Sequence, residues 1–433
     1  MGDYIGASLH ILAGGSVTLG NVTINSPGDV ATTINPSNTT LFNATKPYAD
    51  LATYGSALGL PSITIDGSQQ ATLDVRAGVD WAQLGGLSTN QVLGTFALPN
   101  TAPTYVATPS KANITINGNI QVSQPNGLVL LTNQFLPNTL TGVISAKDID
   151  TSTSLSGVNG GDIRVDGRGD IAIANATLRS VASVFANAGN GGAISLSTSN
   201  GNISLTDSNV DSYASVYSNT GNGGAISFSN LNGSISLTNS TLSSYSTSVV
   251  GNSNKIGGAI ALSATNGNVS LINSDLKSYS QSIFDNAGNG GAIALSATNG
   301  NISLNNSNPS SYSISTIGNA GNGGAVSFST TNGNISLINS LTLTQSRGEV
   351  GSSTSGNAGA ISFSALNGNI TLNNSISVAI SQSNSGNIGN GGAISFVNSN
   401  GNISLTGSGA IAYGKNGGAI SFTNSMVISF SLD

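Results

Sequence analysis

Residues 221–246 read GNGGAISFSNLNGSISLTNSTLSSYS, and near-copies of this stretch recur to the end of the chain. Within it, Ala225-Ile226-Ser227-Phe228-Ser229 alternates apolar and polar side chains, the period of a strand buried on one face. After an Asn-Gly turn, Ser234-Ile235-Ser236-Leu237 alternates in the same way, and the pattern returns at Asn202–Leu205, Asn301–Leu304 and Asn402–Leu405. In a third segment, Leu242-Ser243-Ser244-Tyr245, the two large residues lie three apart, which predicts a bend or bulge. Strands this short cannot bury a face alone. Stacking each unit on the previous one aligns Ile on Ile and Leu on Leu, so the expected fold is all-β, a parallel β-helix (solenoid) with three short strands per coil. A leucine-rich repeat has a shorter period, and a propeller blade needs four strands.

The repeat sets its own length scale. The Gly pair before each first strand ends at Gly161, Gly192, Gly224, Gly258, Gly291, Gly324, Gly359 (where the pair has become Ala-Gly), Gly392 and Gly418, at intervals of 31 to 35 residues and a last one of 26. At about 4.8 Å per rung these eight intervals give a rod of roughly 40 Å. A period near 33 residues exceeds what three strands need, so the surplus before each Gly pair, such as 246–256, is expected to form a loop on one side. In this reading Gly and Asn make corners because they tolerate positive φ, Ile226, Phe228, Ile235 and Leu237 fill the core, and Ser and Asn face water.

Composition agrees with a folded β protein. Only 6% of the 433 residues are charged and 57 are Gly, yet 38% are hydrophobic and regularly spaced, unlike a disordered chain. The net charge is −6 and the eleven Lys and Arg residues form no cluster, which argues against nucleic acid and anionic membranes as partners. Without cysteine there is no disulfide, thiolate metal site or Cys nucleophile.

Nine of the ten prolines lie at or before Pro137, which divides the chain into an irregular part, 1–140, and a regular part, 141–433. The first part carries strand patterns at His10–Leu12, Ser16–Leu19, Asn21–Ile24, Ser62–Ile65, Thr72–Val75, Asn113–Ile116, Asn119–Val122 and Leu128–Leu131, so the helix is expected to continue through it. The Pro-containing stretches 26–60 and 78–110 are expected excursions from the rod, where loops on a rigid scaffold carry function. The start, MGDYIGASLHILAGGSVTLG, lacks signal-peptide character, and no run reaches membrane-spanning length. Together with the abrupt strand-like MVISFSL near the end, this reads as a piece of a longer protein.

Several of these segments resemble a known family. Gly6–Val17, Ile65-Asp66-Gly67 with Thr72–Gly78, Pro125–Gln134 and the GNGGAIS and NGNISLTNS repeats resemble cyanobacterial exoproteins of the filamentous haemagglutinin type, over nearly the whole chain. The resemblance implies a right-handed β-helix, secreted or attached to the cell surface, exported by two-partner secretion through a dedicated outer-membrane barrel. The signal peptide and N-terminal secretion domain of that family are not found in this sequence.

Few side chains invite chemistry. Asp162, Asp166 and Asp170 in GGDIRVDGRGDIAI are the densest carboxylates, a set from which a β-helix polysaccharide lyase or hydrolase could be built, but Arg164 and Arg168 alternate with them and no His or Lys stands nearby as acid or base. Arg168-Gly169-Asp170 is an integrin-type tripeptide that a Gly turn between strands also explains. GNGG lacks both the Gly-Lys-Ser/Thr of a phosphate loop and the Asp of calcium repeats. His10 and Trp81 are single and complete no catalytic set. Neither a cofactor nor a metal is expected.

The most informative column is aromatic: Tyr213, Tyr245, Tyr279, Tyr312 and, after Gln345 and Ile380, Tyr413. Stacked along one edge the rings stabilise neighbouring coils, and facing outward they would offer a glycan-stacking strip. The leading expectation is a non-enzymatic structural or adhesive rod meeting glycans or neighbouring cells. A carbohydrate-active enzyme on the Asp162–Asp170 rungs is the alternative, and an ice- or mineral-binding face would need Thr ladders that are not seen.

Overall fold

The computed structural model describes residues 3–29, 69–80, 110–135, 137–250, 255–350, 353–424 and 427–431. Every regular element among them is a strand, and all the ladders between strands are parallel. The GGAIS face includes Thr72–Arg76, Leu128–Thr132, Asp162–Gly167, Ile194–Thr198 and Ile226–Asn230, and continues to Ile420–Asn424. The NISL face is a 12-stranded sheet from Val17–Leu19 to Val427–Ser431. A third face, here the tyrosine face, includes Thr177–Val184, Asn209–Val216, Thr241–Ser248, Asp275–Ser282 and Pro309–Ser315, and reaches Gly409–Tyr413. Each strand pairs with its counterparts one coil before and one coil after, so the chain is a parallel β-solenoid. About nine turns of about 33 residues make up its regular part. The ladders cross residue 140 unbroken, since Ile114–Ile116 pairs with Ile144–Ala146 and that strand with Ile171–Ala174.

The core follows from the alternation. Ile203 pairs with Ile235, then Val269 and Ile302, while Leu205 pairs with Leu237, Leu271 and Leu304, all fully buried. On the GGAIS face Phe328, Phe363, Phe396 and Phe422 stack with ring centroids 4.8–4.9 Å apart and planes within 5°. One coil thus buries Ile226, Phe228, Ile235, Leu237 and Leu242, each contributing about 1.5–3 kcal/mol of apolar burial.

The third strand differs from the sequence expectation in two ways. It contains no bend or bulge in the regular coils: Thr241–Ser248 pairs residue for residue with Asn209–Val216 below and Asp275–Ser282 above. Leu242 therefore points inward and Tyr245 outward, three apart on opposite faces of a straight strand. Its inward positions are completed by Ser244, Ser246 and Ser248, all buried rather than facing water. A serine suffices there because the Gly-Gly corner comes close. Ser212 Oγ donates to the Gly192 carbonyl at 2.5 Å, Ser244 to Gly224 at 2.5 Å, Ser278 to Gly258 at 2.6 Å and Ser311 to Gly291 at 2.6 Å. Each hydroxyl thus supplies a hydrogen bond to a carbonyl of the Gly-Gly corner.

The corners also divide their labour otherwise than expected. Positive φ falls on the polar residue after the NISL strand: Asn175, Asp207, Asn239, Asn273, Asn306, Asn339 and Asn374, at 48–52°. The glycines of the Asn-Gly and Gly-Gly corners are needed for close approach instead. A Cβ on Gly224 would overlap the Gly192 carbonyl of the preceding coil, and one on Gly333 the Gly300 carbonyl. Asparagines then run as ladders up the outside, for example Asn232 Nδ2 to Asn200 Oδ1 at 3.1 Å and Asn266 Nδ2 to Asn232 Oδ1 at 2.8 Å, continuing to Asn400. The surplus before each Gly pair is likewise ordered from rung to rung where described: Gly290 N donates to Asn322 O at 2.9 Å and Asn322 N to Asn289 Oδ1 at 2.8 Å. In the 246–256 stretch the strand runs to Ser248, and 251–254 lie outside the described residues. Most of the stretches 26–60 and 78–110, the strand expected at Ser62–Ile65, and Trp81 also lie outside them.

Candidate functional site

The tyrosine face places its aromatic column by simple alternation. In Asn209–Val216, Val210, Ser212, Ala214 and Val216 point inward, which turns Asp211, Tyr213 and Ser215 outward. Matching register then brings Tyr213, Tyr245, Tyr279 and Tyr312 into one line. Their centroids are 4.2, 4.6 and 4.6 Å apart and their planes agree within 9°. The column passes through Gln345 and Ile380 to Tyr413, which stands outside the stack. Below Tyr213, Arg179 donates from Nη2 to the phenol oxygen at 2.8 Å, with its guanidinium carbon 5.8 Å from the ring centre.

Stacking decides what this strip can present. The faces of Tyr245 and Tyr279 are each turned to a neighbouring ring on both sides, so a sugar approaching the middle of the stack meets ring edges and hydroxyls. Burial, and then the neighbouring phenols, push the Tyr245 and Tyr279 hydroxyls well above the usual range, and burial pushes Tyr312 up to about 12. A raised phenol pKa contributes stability below the unfolded value near about 10 and loses it as pH rises through the folded value. Alkaline titration by ultraviolet absorbance should therefore show a late group of phenols that ionises together with loss of the β circular-dichroism signal. Ionisation of the whole set before any unfolding would contradict the packed ladder.

The three carboxylates are not brought together. Asp162 and Asp166 point outward from one strand, four residues and about 13 Å apart, against the roughly 5–9.5 Å of paired catalytic carboxylates. Asp162 accepts from Ala193 N at 2.7 Å, and its pKa is raised by burial against that bond. Asp166 is buried and accepts from Arg164 Nε at 2.8 Å and from Ser197 Oγ. Asp170 lies past the corner, where it accepts from Asn202 N at 2.7 Å. In Arg168-Gly169-Asp170, therefore, the carboxylate is held by the next coil, while the guanidinium donates to the carbonyls of Asn138 and, at 3.0 Å, Leu140. The tripeptide lines a groove with Lys111, Asn113 and Asn200 instead of projecting from a loop tip.

Two features escape the sequence pattern. On the outer side of the GGAIS face, His10 Nδ1 lies 3.1 Å from Asp74 Oδ2, and Arg76 grips the same carboxylate through Nε at 2.9 Å and Nη2 at 2.8 Å. Phe135 covers the guanidinium, its ring centre 4.2 Å away, and Asp74 and Arg76 are 1% and 0% exposed. The signal is present in Thr72-Leu73-Asp74-Val75-Arg76, where two charges alternate with two core residues. The second feature is an exposed apolar row, one residue per coil, beyond the ends of the tyrosine-face strands: Phe185 and Tyr217 in one column, then Val250, Phe284, Ile317 and Val350 in the column beside it, between 40% and 79% exposed. Phe185 and Tyr217 stack at 5.0 Å. Only coil-by-coil alignment of the stretch before each Gly pair reveals it. Among the described residues no group of three acidic or histidine side chains is placed to hold a metal ion.

A scan against protein-family models and searches of curated proteins and of solved structures return no match to this chain.

Proposed function

We propose that this chain is a non-enzymatic rod that mediates adhesion at a cell surface. The observation that carries the reading is the exposed apolar row, Phe185 to Val350, repeated once per coil on a scaffold whose other outward positions are mostly Ser, Thr and Asn. Contiguous exposed apolar surface marks contact sites on otherwise polar proteins. The scaffold supports it by stacking the coils that carry these residues through hydrogen-bonded ladders on three faces. The resemblance of the GNGGAIS and NGNISLTNS repeats to filamentous haemagglutinin-type exoproteins supports a secreted or surface-attached location, with an outer-membrane barrel as exporter and surface glycans or neighbouring cells as partners.

The test uses beads coated with the purified chain and scored for retention on a glycan array and on bacterial cell layers. Retention should fall at least severalfold in a Phe185→Ser, Phe284→Ser, Val350→Ser variant with an unchanged circular-dichroism spectrum. Equal retention of that variant would overturn the assignment to the row. Loss of binding in Tyr245→Ala, Tyr279→Ala with the row intact would move the contact to the tyrosine strip. Release of unsaturated or reducing ends from acidic polysaccharides, abolished by Asp162→Asn, would replace the adhesive reading with an enzymatic one.

A further inference from the structure

The tyrosine ladder has a chemical property that its role in packing does not use. Phenols oxidised by one electron couple through their ortho carbons when two radicals meet, and encounter ordinarily limits the yield. Here the encounter is built in: Tyr213, Tyr245, Tyr279 and Tyr312 are held at 4.2–4.6 Å with nearly parallel rings on the solvent side of the sheet. Each ring is only partly buried, so its exposed edge is open to a small oxidant. The chain has no cysteine to compete for oxidising equivalents.

We propose that the ladder is an oxidative cross-linking site, at which a peroxidase-type oxidant joins tyrosines of successive coils as dityrosine and staples the solenoid covalently. In the step, each of two phenols gives up one electron and one proton to the oxidant. The two phenoxyl radicals form one ortho–ortho carbon–carbon bond, and each ring hydrogen at the new bond then moves to its oxygen, restoring both hydroxyls. The two electrons and two protons reduce one hydrogen peroxide to two waters. Overlap between stacked rings lets the electron hole spread along the column. The guanidinium of Arg179, donating to Tyr213 oxygen at 2.8 Å, disfavours positive charge at that end and directs coupling toward Tyr245, Tyr279 and Tyr312.

The molecule carries its own controls. Tyr217 is stacked on a phenylalanine, Phe185, and Tyr413 is separated from the stack by Gln345 and Ile380, so neither has a phenol one coil away.

The experiment treats the purified chain with a haem peroxidase and limiting hydrogen peroxide, then reads dityrosine fluorescence, gel mobility and peptide masses. The expected product is monomeric, its yield per chain does not change over a tenfold range of protein concentration, and the linked peptides, two hydrogens lighter than their sum, pair residues 245 with 279 or 279 with 312. It should keep its β signal to higher urea than the untreated chain. Tyr245→Phe, Tyr279→Phe preserves ring stacking and should lose at least nine-tenths of this yield. Unfolding in urea before oxidation should do the same. An undiminished yield in the Phe variant, a yield that rises with concentration and appears only as oligomers, or dityrosine absent from the ladder peptides would each overturn the proposal.

Discussion

Gly324→Ala is expected to destabilise the solenoid by about 3 kcal/mol, near the upper end of overpacking costs, while Gly323→Ala, one residue away, should cost clearly less. The added methyl at 324 would overlap the Gly291 carbonyl of the coil below and meet Ser311 Oγ. That hydroxyl donates to Gly291 O at 2.6 Å and accepts from Gly324 N at 3.0 Å, so the bridge across the corner is lost as well. Backbone on both sides is fixed by the ladders and cannot yield. Position 323 is also close-packed, since a methyl there would lie 2.8–2.9 Å from the Gln345 backbone, yet the next coil up carries Ala358 at the same place, buried. The equivalent corner one coil up therefore accommodates a methyl by a small adjustment of its neighbours. Urea unfolding followed by circular dichroism checks the pair, and equal losses would mean that close approach at the second glycine is not what selects it.

Asp74→Asn should cost about 3–5 kcal/mol, the loss typical of breaking a buried ion pair from one side. The substitution keeps the shape but removes the Asp74 charge from beside the Arg76 guanidinium, which is 0% exposed. Stability against pH gives a second readout. Burial alone would raise the Asp74 pKa, but Arg76 and His10 outweigh it and hold the carboxyl below its ordinary value. A depressed pKa contributes stability above the unfolded value near about 3.9, and that contribution is lost as pH falls through the folded value. The parent chain should thus weaken steeply on the acid side of pH 4, and Asp74→Asn should show a shallower acid limb from a lower plateau. Identical acid limbs in parent and variant would remove Asp74 from the account.

The extent to which the fold is legible in the sequence follows from what alternation encodes. Ile235 and Leu237 share a face because they are two apart, and identical spacing in every unit leaves coil-on-coil stacking as the arrangement that buries them. The same logic misleads at Leu242 and Tyr245, where it turns both large residues inward and so demands a bend. In a narrow solenoid the inward place beside the Gly-Gly corner has room for a small side chain only, Ser in most coils and Thr344 or Ala379 in two, so Ser244 is core and Tyr245 is surface. The aromatic column itself is visible as a fixed offset from the NISL strand. Its self-stacking is not, since ring orientation depends on the 4.2–4.6 Å separations that only the register sets. The clamp around Asp74 joins residues 64 apart in sequence, His10 and Asp74, and no periodic pattern connects them.

A solenoid of near-interchangeable coils faces a problem of counting: a strand such as Ile302–Asn305 could pair as well with the copy one coil too early as with its proper neighbour, at little loss of contacts. Among the described residues, the clamp of His10, Asp74, Arg76 and Phe135 has no duplicate in the regular coils, and it ties the strand Tyr4–Leu12 to Thr72–Arg76 at a single alignment. It thereby serves as the zero mark of the rod. Every later coil inherits its place by stacking on one already placed, and the clamp fixes the position from which the others are numbered.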